Sequence, residues 1–229
     1  MRTIKLTILS VLFIFPLFYS CHENNEINFE DDFEMYKTYE FFTKSVEATS
    51  FVLKDKIRNT LNKGAIQLTQ EDLDQCIQAS GYNGTVPTLN EVNIIIDEVL
   101  NAGSNGQIIF PLQPSGFPPL NDRTNTLINE IFSTGSIEGL KLNEDFNQVS
   151  YSEQQVLEFI NNIVYAMENG DIDLGILNKG NFCGVNGNPV PCPAAYAAAG
   201  AVIGSAFGGY GAIIGAIIGG VIGSFVGAS

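Results

Sequence analysis

From about Asp31 onward, the chain alternates between two textures. Stretches with an apolar residue every three or four positions are separated by short runs of glycine, proline, asparagine and serine. The first periodic stretch carries Phe33, Met35, Tyr39, Phe42, Val46, Leu53, Ile57 and Leu61. That spacing predicts one long helix stopping at Asn62-Lys63-Gly64. Thr69 with Asp72 is a weaker capping box, opening a short helix through Leu73, Cys76 and Ile77. Thr88 with Glu91 is a better one, opening a helix through Val92, Ile95, Ile96, Val99 and Leu100. Ile108-Ile109-Phe110 fits a short strand, but prolines at 111, 114, 118 and 119 forbid regular structure around it. Helical spacing returns from Leu120 to Phe132, and Ser133 to Asn147 is turn-rich. Ser150 with Glu153 then caps the clearest helix, through Val156, Leu157, Ile160, Val164 and Met167 to Asn169-Gly170.

The texture changes after Lys179, the last charged residue. Ala194 to Ser229 reads AAYAAAGAVIGSAFGGYGAIIGAIIGGVIGSFVGAS. Glycines fall at Gly200, Gly204 and Gly208, slip by three, and resume at Gly211, Gly215, Gly219, Gly223 and Gly227. Each glycine costs a helix about 1 kcal/mol relative to alanine. A lone helix of this composition is therefore unstable in water. The spacing makes sense where small residues let two helix backbones approach closely. As one helix, the 36 residues would run roughly 54 Å, against a hydrocarbon core of about 30 Å. A break is expected at Gly208-Gly209-Tyr210-Gly211. The fold class is therefore mostly α: a small helical domain followed by a glycine-zipper helical hairpin, or a bent helix.

The two ends of the domain add organisation. Met1 to Lys5 is short and basic, Leu6 to Phe18 is apolar, and Phe18-Tyr19-Ser20-Cys21 follows. This is the layout of a secretory signal, and its apolar run is shorter than the roughly 20 residues of a membrane span. The expected divisions are a signal peptide over 1–20, an acidic tether over 21–30, a helical domain over 31–174, a linker over 175–193 and the zipper over 194–229. Removing the leader takes Arg2 and Lys5 and no acid, leaving nine cations against 25 acids and a net charge of −16. Nucleic acid needs a basic face, so it is not an expected partner. Electrostatic docking on anionic lipid is disfavoured too, which leaves lipid attachment and apolar insertion.

Catalytic candidates are thin. His22 is the only histidine and lies in the tether, which removes a serine–histidine pair and a zinc site. Asp171-Ile172-Asp173-Leu174-Gly175 resembles the start of a calcium loop but lacks the later ligands and the closing glutamate, so it reads as a helix-ending turn. No catalytic residue, metal, cofactor or small-molecule substrate is assigned, and the expectation is a protein that is not an enzyme. Cys183 and Cys192 flank a turn-rich loop in an exported chain, which suits a disulfide contributing about 2–3 kcal/mol. Cys76 sits on an apolar helix face and reads as a buried small residue.

Two resemblances carry the functional expectation. Ser20-Cys21 after an apolar leader resembles bacterial lipoprotein precursors, with Phe18 and Tyr19 departing from the usual pattern. That resemblance implies cleavage before Cys21 and lipid on it. It places the protein in the cell envelope, at the outer membrane and, given the acidic run after Cys21, at the cell surface. The run Gly200-Ala201-Val202-Ile203-Gly204 through Gly223 resembles the glycine-zipper two-transmembrane segment of bacterial envelope lipoproteins, and also glycine-zipper bacteriocins and contact-dependent toxins. It covers roughly the last 35 residues. It implies a tail that inserts into membrane or self-associates; the alternative is a toxin tail that permeabilises a target membrane, with the acidic domain as carrier or shield. A hydrophobic hairpin packed within the protein's own fold fits the same pattern.

Overall fold

The computed structural model of the chain describes residues 39–61, 66–104, 106–112, 115–169 and 182–226. Cys21, Gly227 and the Asp171–Gly175 turn lie outside them. The fold is mostly α. Among the described residues its α-helices are α1 (Tyr39–Leu61), α2 (Gln70–Ser80), α3 (Leu89–Ala102), α4 (Asp122–Thr134), α5 (Tyr151–Asn169), α6 (Cys192–Gly204) and α7 (Gly209–Val226). Three short strands form one sheet in the order β1 (Gln107–Ile108), β2 (Phe182–Val185), β3 (Asn188–Pro191).

The helix starts follow the capping pattern. Thr69 and Thr88 each accept a hydrogen bond from the backbone N–H three residues on, while Asp72 and Glu91 reach back to the cap. Ser150 and Glu153 do the same at α5. Each such cap is worth about 1 kcal/mol. Between helices, amide side chains clamp passing backbone. Asn93 holds Leu68 through its N–H and C=O, and Asn161 holds Ile137 in the same way.

β1 pairs parallel with β2, and β2 pairs antiparallel with β3. The β2–β3 turn is Asn186-Gly187, both with positive φ (48° and 87°). That is the backbone a two-residue hairpin turn demands, and Asn-Gly is the pair that adopts it most readily. So 182–191, expected to be part of a linker, is a β-hairpin within the fold. The turn also recruits the preceding segment, because Asn186 Oδ1 accepts from the backbone N–H of Phe110 at 2.7 Å.

The described residues form one compact unit. The expected boundary between a helical domain (31–174) and a separate tail (194–229) does not divide the fold. α6 and α7 lie at its centre, and α1, α3 and α5 pack around them. The apolar stripes read from the sequence point inward: Phe42, Val46, Leu53 and Ile57 of α1, Val92, Ile95, Ile96 and Val99 of α3, and Val156, Leu157 and Ile160 of α5 are all buried. Much of what they bury against is the tail, with α2 also packed on α1 and α4 on α5.

Candidate functional site: a glycine-lined helical hairpin

The expected break falls where the glycines cluster. α6 ends at Gly204, Ser205–Phe207 makes one tight turn of helix, Gly208 takes φ +93°, and α7 starts at Gly209. A β-carbon on Gly208 would meet nothing within 4 Å. Gly208 is therefore a turn residue and not a packing residue of the zipper.

Six of the other expected zipper glycines pack against the opposing backbone. A β-carbon on Gly200 would run into the Gly215 carbonyl, and one on Gly215 into the Gly200 carbonyl. Gly204 and Gly211 oppose each other in the same way. Further from the turn, Gly219 lies against the backbone of Tyr196 and Ala197, and Gly223 against that of Cys192 and Pro193. Each step of four residues down α6 is matched by four up α7. This is the signature of an antiparallel pair in contact along its whole length, with the backbones as close as small-residue spacing allows. The rows that could have faced a second copy face each other within one chain.

The sequence reasoning missed two further glycines. Gly220 starts a second close approach: a β-carbon there would lie 2.8 Å from Val46 and 2.9 Å from Phe42. That lets α7 sit tightly on α1. Gly103, at the end of α3, lies under the ring of Tyr196, whose hydroxyl donates 2.8 Å to the Gly103 carbonyl. This bond is fully buried and ties the hairpin to its surroundings across 93 residues of sequence. No local pattern could have announced it.

The hairpin is charge-free and nearly self-sufficient in hydrogen bonds. Ser205 and Ser224 each donate 2.7 Å to a carbonyl three residues back in their own helix. All of α6 is buried, as is Gly211 to Gly223 of α7. Among the described residues, Gly209–Val226 is the one helix long and apolar enough to cross a membrane, and 72% of it is buried inside this domain. Such a helix is also what the centre of a soluble domain looks like, so length alone decides nothing.

Both ends of the hairpin are held. At the open end, Cys183 of β2 and Cys192, the first residue of α6, form the expected disulfide, with Cα atoms 4.8 Å apart. At the turn, Phe207 packs edge-on against Phe117 at 4.8 Å between ring centroids. Beside that contact, Glu153 accepts hydrogen bonds from Asn121 N–H (2.7 Å), the Thr124 hydroxyl (3.0 Å) and both the N–H and hydroxyl of Ser150 (3.0 and 2.6 Å). Burial pushes the Glu153 carboxyl up, but these donors outweigh it and hold it below its ordinary value. A cavity of about 420 Å³ separates this cluster from Val202, Ser205 and Ala206 of the hairpin. Cys76 is free and buried beside Ile214, Ile217 and Ile218, and burial pushes its thiol up to about 12.

No known protein family, curated protein or solved structure matches this chain.

Proposed function

We propose that this is a non-enzymatic, lipid-anchored protein of the cell envelope, in which a prefolded glycine hairpin is stored inside a helical sheath and delivered to a membrane. Lipid on Cys21 would hold the domain at the envelope. The carrying observation is the closure of the zipper on itself: α6 and α7 satisfy each other's backbone approach and carry no charge. Such a pair can exchange one apolar surrounding for another without exposing its glycine rows. In hydrocarbon the helices keep their backbone bonds, and both serine hydroxyls keep theirs. The Tyr196 bond to Gly103 and the Phe207 contact with Phe117 are what the hairpin gives up on leaving the sheath. Self-association would then occur between hairpins already inserted.

The toxin reading is kept for one reason. The hairpin carries no charge, whereas the helices packed on it, α1, α3 and α5, all do, as a carrier protecting an active part would require.

One experiment tests both. Cysteines replace Phe117 and Phe207, and a short reducible crosslinker pins the hairpin turn to the sheath. The full mature chain, with and without the crosslink, is added to dye-loaded vesicles. Insertion is read as protease protection of the 192–226 segment, and permeabilisation as dye release. Insertion that the crosslink blocks and reduction restores supports delivery; insertion with dye release supports the toxin. A hairpin never protected, crosslinked or free, overturns both. Lipidation is read separately, as acyl mass on the mature N-terminus.

A further inference from the structure

The surface of α1 breaks its own pattern. Phe51 is 83% exposed at the middle of this helix, on the side away from the buried Phe42, Val46, Leu53 and Ile57. Ala48 and Val52 lie beside it, half-buried, and with Phe225 of α7 they line an open groove of about 680 Å³. Lys44 and Lys54, both exposed, border the same groove, together with Glu47. Leu142 and Phe182 are also exposed, but neither borders this groove.

We propose that this face, made by Lys44, Ala48, Phe51, Val52 and Lys54 with Phe225, is a bilayer-docking surface that seats at the boundary between lipid headgroups and acyl chains. The choice of a bilayer as occupant rests on the lipid-anchored reading above. Three observations carry it. First, charge: the groove is bordered by two cations (Lys44, Lys54) against one acid (Glu47), a local excess on a chain whose net charge otherwise disfavours anionic lipid. In every described α-helix other than α1, cations do not outnumber acids, and the chain is strongly acidic. Second, chemistry: an aromatic between two lysines is the combination that interfacial helices use. The ring enters the boundary, and the lysine stems lie along it while their ammonium groups reach the headgroups. Third, placement: α1 is the described element next in sequence to the anchor, with Cys21 only 18 residues before Tyr39. The groove also contains the last turn of α7. Docking here sets the C-terminal end of the hairpin's longer helix at the lipid before anything in the sheath opens.

The chain contains no tryptophan, so Phe51→Trp supplies a single indole reporter at the centre of the face. The substitution is at an exposed position, and far-UV circular dichroism confirms the fold. The mature chain with Cys21→Ser is titrated with vesicles of phosphatidylethanolamine and phosphatidylglycerol, and separately of phosphatidylcholine. A blue shift that saturates with lipid is the expected result. Phe51→Ser should weaken co-sedimentation with vesicles by about tenfold or more, the effect of losing one buried phenyl ring. Leu142→Ser, at another exposed apolar position, should leave it unchanged. Emission indifferent to either vesicle overturns the proposal. So does a blue shift that grows with protein concentration in the absence of lipid, which would make a second copy the occupant. Docking is read here without the anchor: unchanged emission removes the docking face alone, whereas a native N-terminus without acyl mass removes the anchored reading alone.

Discussion

The sharpest consequence of the hairpin concerns one methyl group. Gly215→Ala would place a β-carbon 2.8 Å from the Gly200 carbonyl carbon and 3.2 Å from Gly204 Cα, and closer still to the Gly200 oxygen. All three are backbone atoms, so none can swing aside. α6 and α7 must separate by about 1 Å, a gap that forfeits a quarter to a half of the dispersion energy of the contacts it opens. Overpacking of this kind costs about 1–3 kcal/mol, and the rigid obstacle argues for the upper part of that range. Alanine returns about 1 kcal/mol through its better helix propensity. The net expectation is a loss of about 2 kcal/mol, which lowers Tm by about 4–8 °C in a domain of this size. Thermal unfolding of the chain followed by circular dichroism measures it. Gly200→Ala strikes the same rung from the other side, since its β-carbon would lie 2.6 Å from the Gly215 carbonyl carbon. Once one methyl has forced the helices apart, the second meets less resistance. The double variant should therefore lose less than the two singles together, by at least about 1 kcal/mol. A Gly215→Ala variant with an unchanged or raised Tm would refute the reasoning: propensity would then be acting unopposed, and the rows would not face each other.

Three other expectations follow from the same geometry. Reducing Cys183–Cys192 should lower stability by about 2–3 kcal/mol, seen as a Tm shift between scans with and without reductant; no shift would mean the bridge constrains nothing. Because hydrogen bonds hold the folded Glu153 pKa below the unfolded value of about 4.3, its stabilisation is present above that value and lost as pH falls through the folded pKa. Urea midpoints should thus fall on acidification from about pH 5 toward pH 3, and Glu153→Gln should start lower at pH 7 and fall less steeply, with Asp72, also held low, contributing to the remaining slope. The Cys76 thiol, buried and pushed up to about 12, should resist alkylation at pH 8 in the folded chain and react at once in guanidinium; equal rates would place it at the surface.

Local chemistry made much of this fold legible. Capping pairs set the starts of α2, α3 and α5, and the glycine cluster set the break at Gly208, because each depends on residues within four positions of one another. The disulfide was legible from the turn-rich loop between its cysteines, together with the expectation of export. The β2–β3 hairpin carried its own signal in Asn186-Gly187, but with strands of four residues each and a cysteine pair framing them, the stretch read as a linker. The pairing of β2 with β1, the Asn186 bond to Phe110 and the Tyr196 bond to Gly103 span 76 or more residues, and nothing local encodes them.

The partner of the tail was illegible for a deeper reason. An amphipathic helix announces by its stripe which side is covered and which is wet. α6 and α7 are apolar all round, so their sequences say that everything is covered but not by what. The missing information sits in the other helices. The stripes of α1, α3 and α5 are the ones packed on the hairpin, so the sheath specifies the hairpin's surroundings more than the hairpin does. That asymmetry has a physical consequence. The interface between α6 and α7 is built from backbone approach and is indifferent to whether side chains or lipid lie outside it. The outer face, by contrast, rests on side-chain packing, one buried tyrosine hydrogen bond and the phenylalanine contact at the turn. Destabilising the sheath therefore leaves the hairpin intact as a unit, whereas destabilising the zipper dissolves the centre of the whole domain. Substitutions in α1, α3 or α5 that loosen packing should then promote membrane insertion, while Gly200→Ala or Gly215→Ala should reduce it along with the fold's stability. Protease protection of 192–226 in the presence of vesicles separates the two classes, and equal behaviour of both would mean that the hairpin has no independent existence outside its sheath.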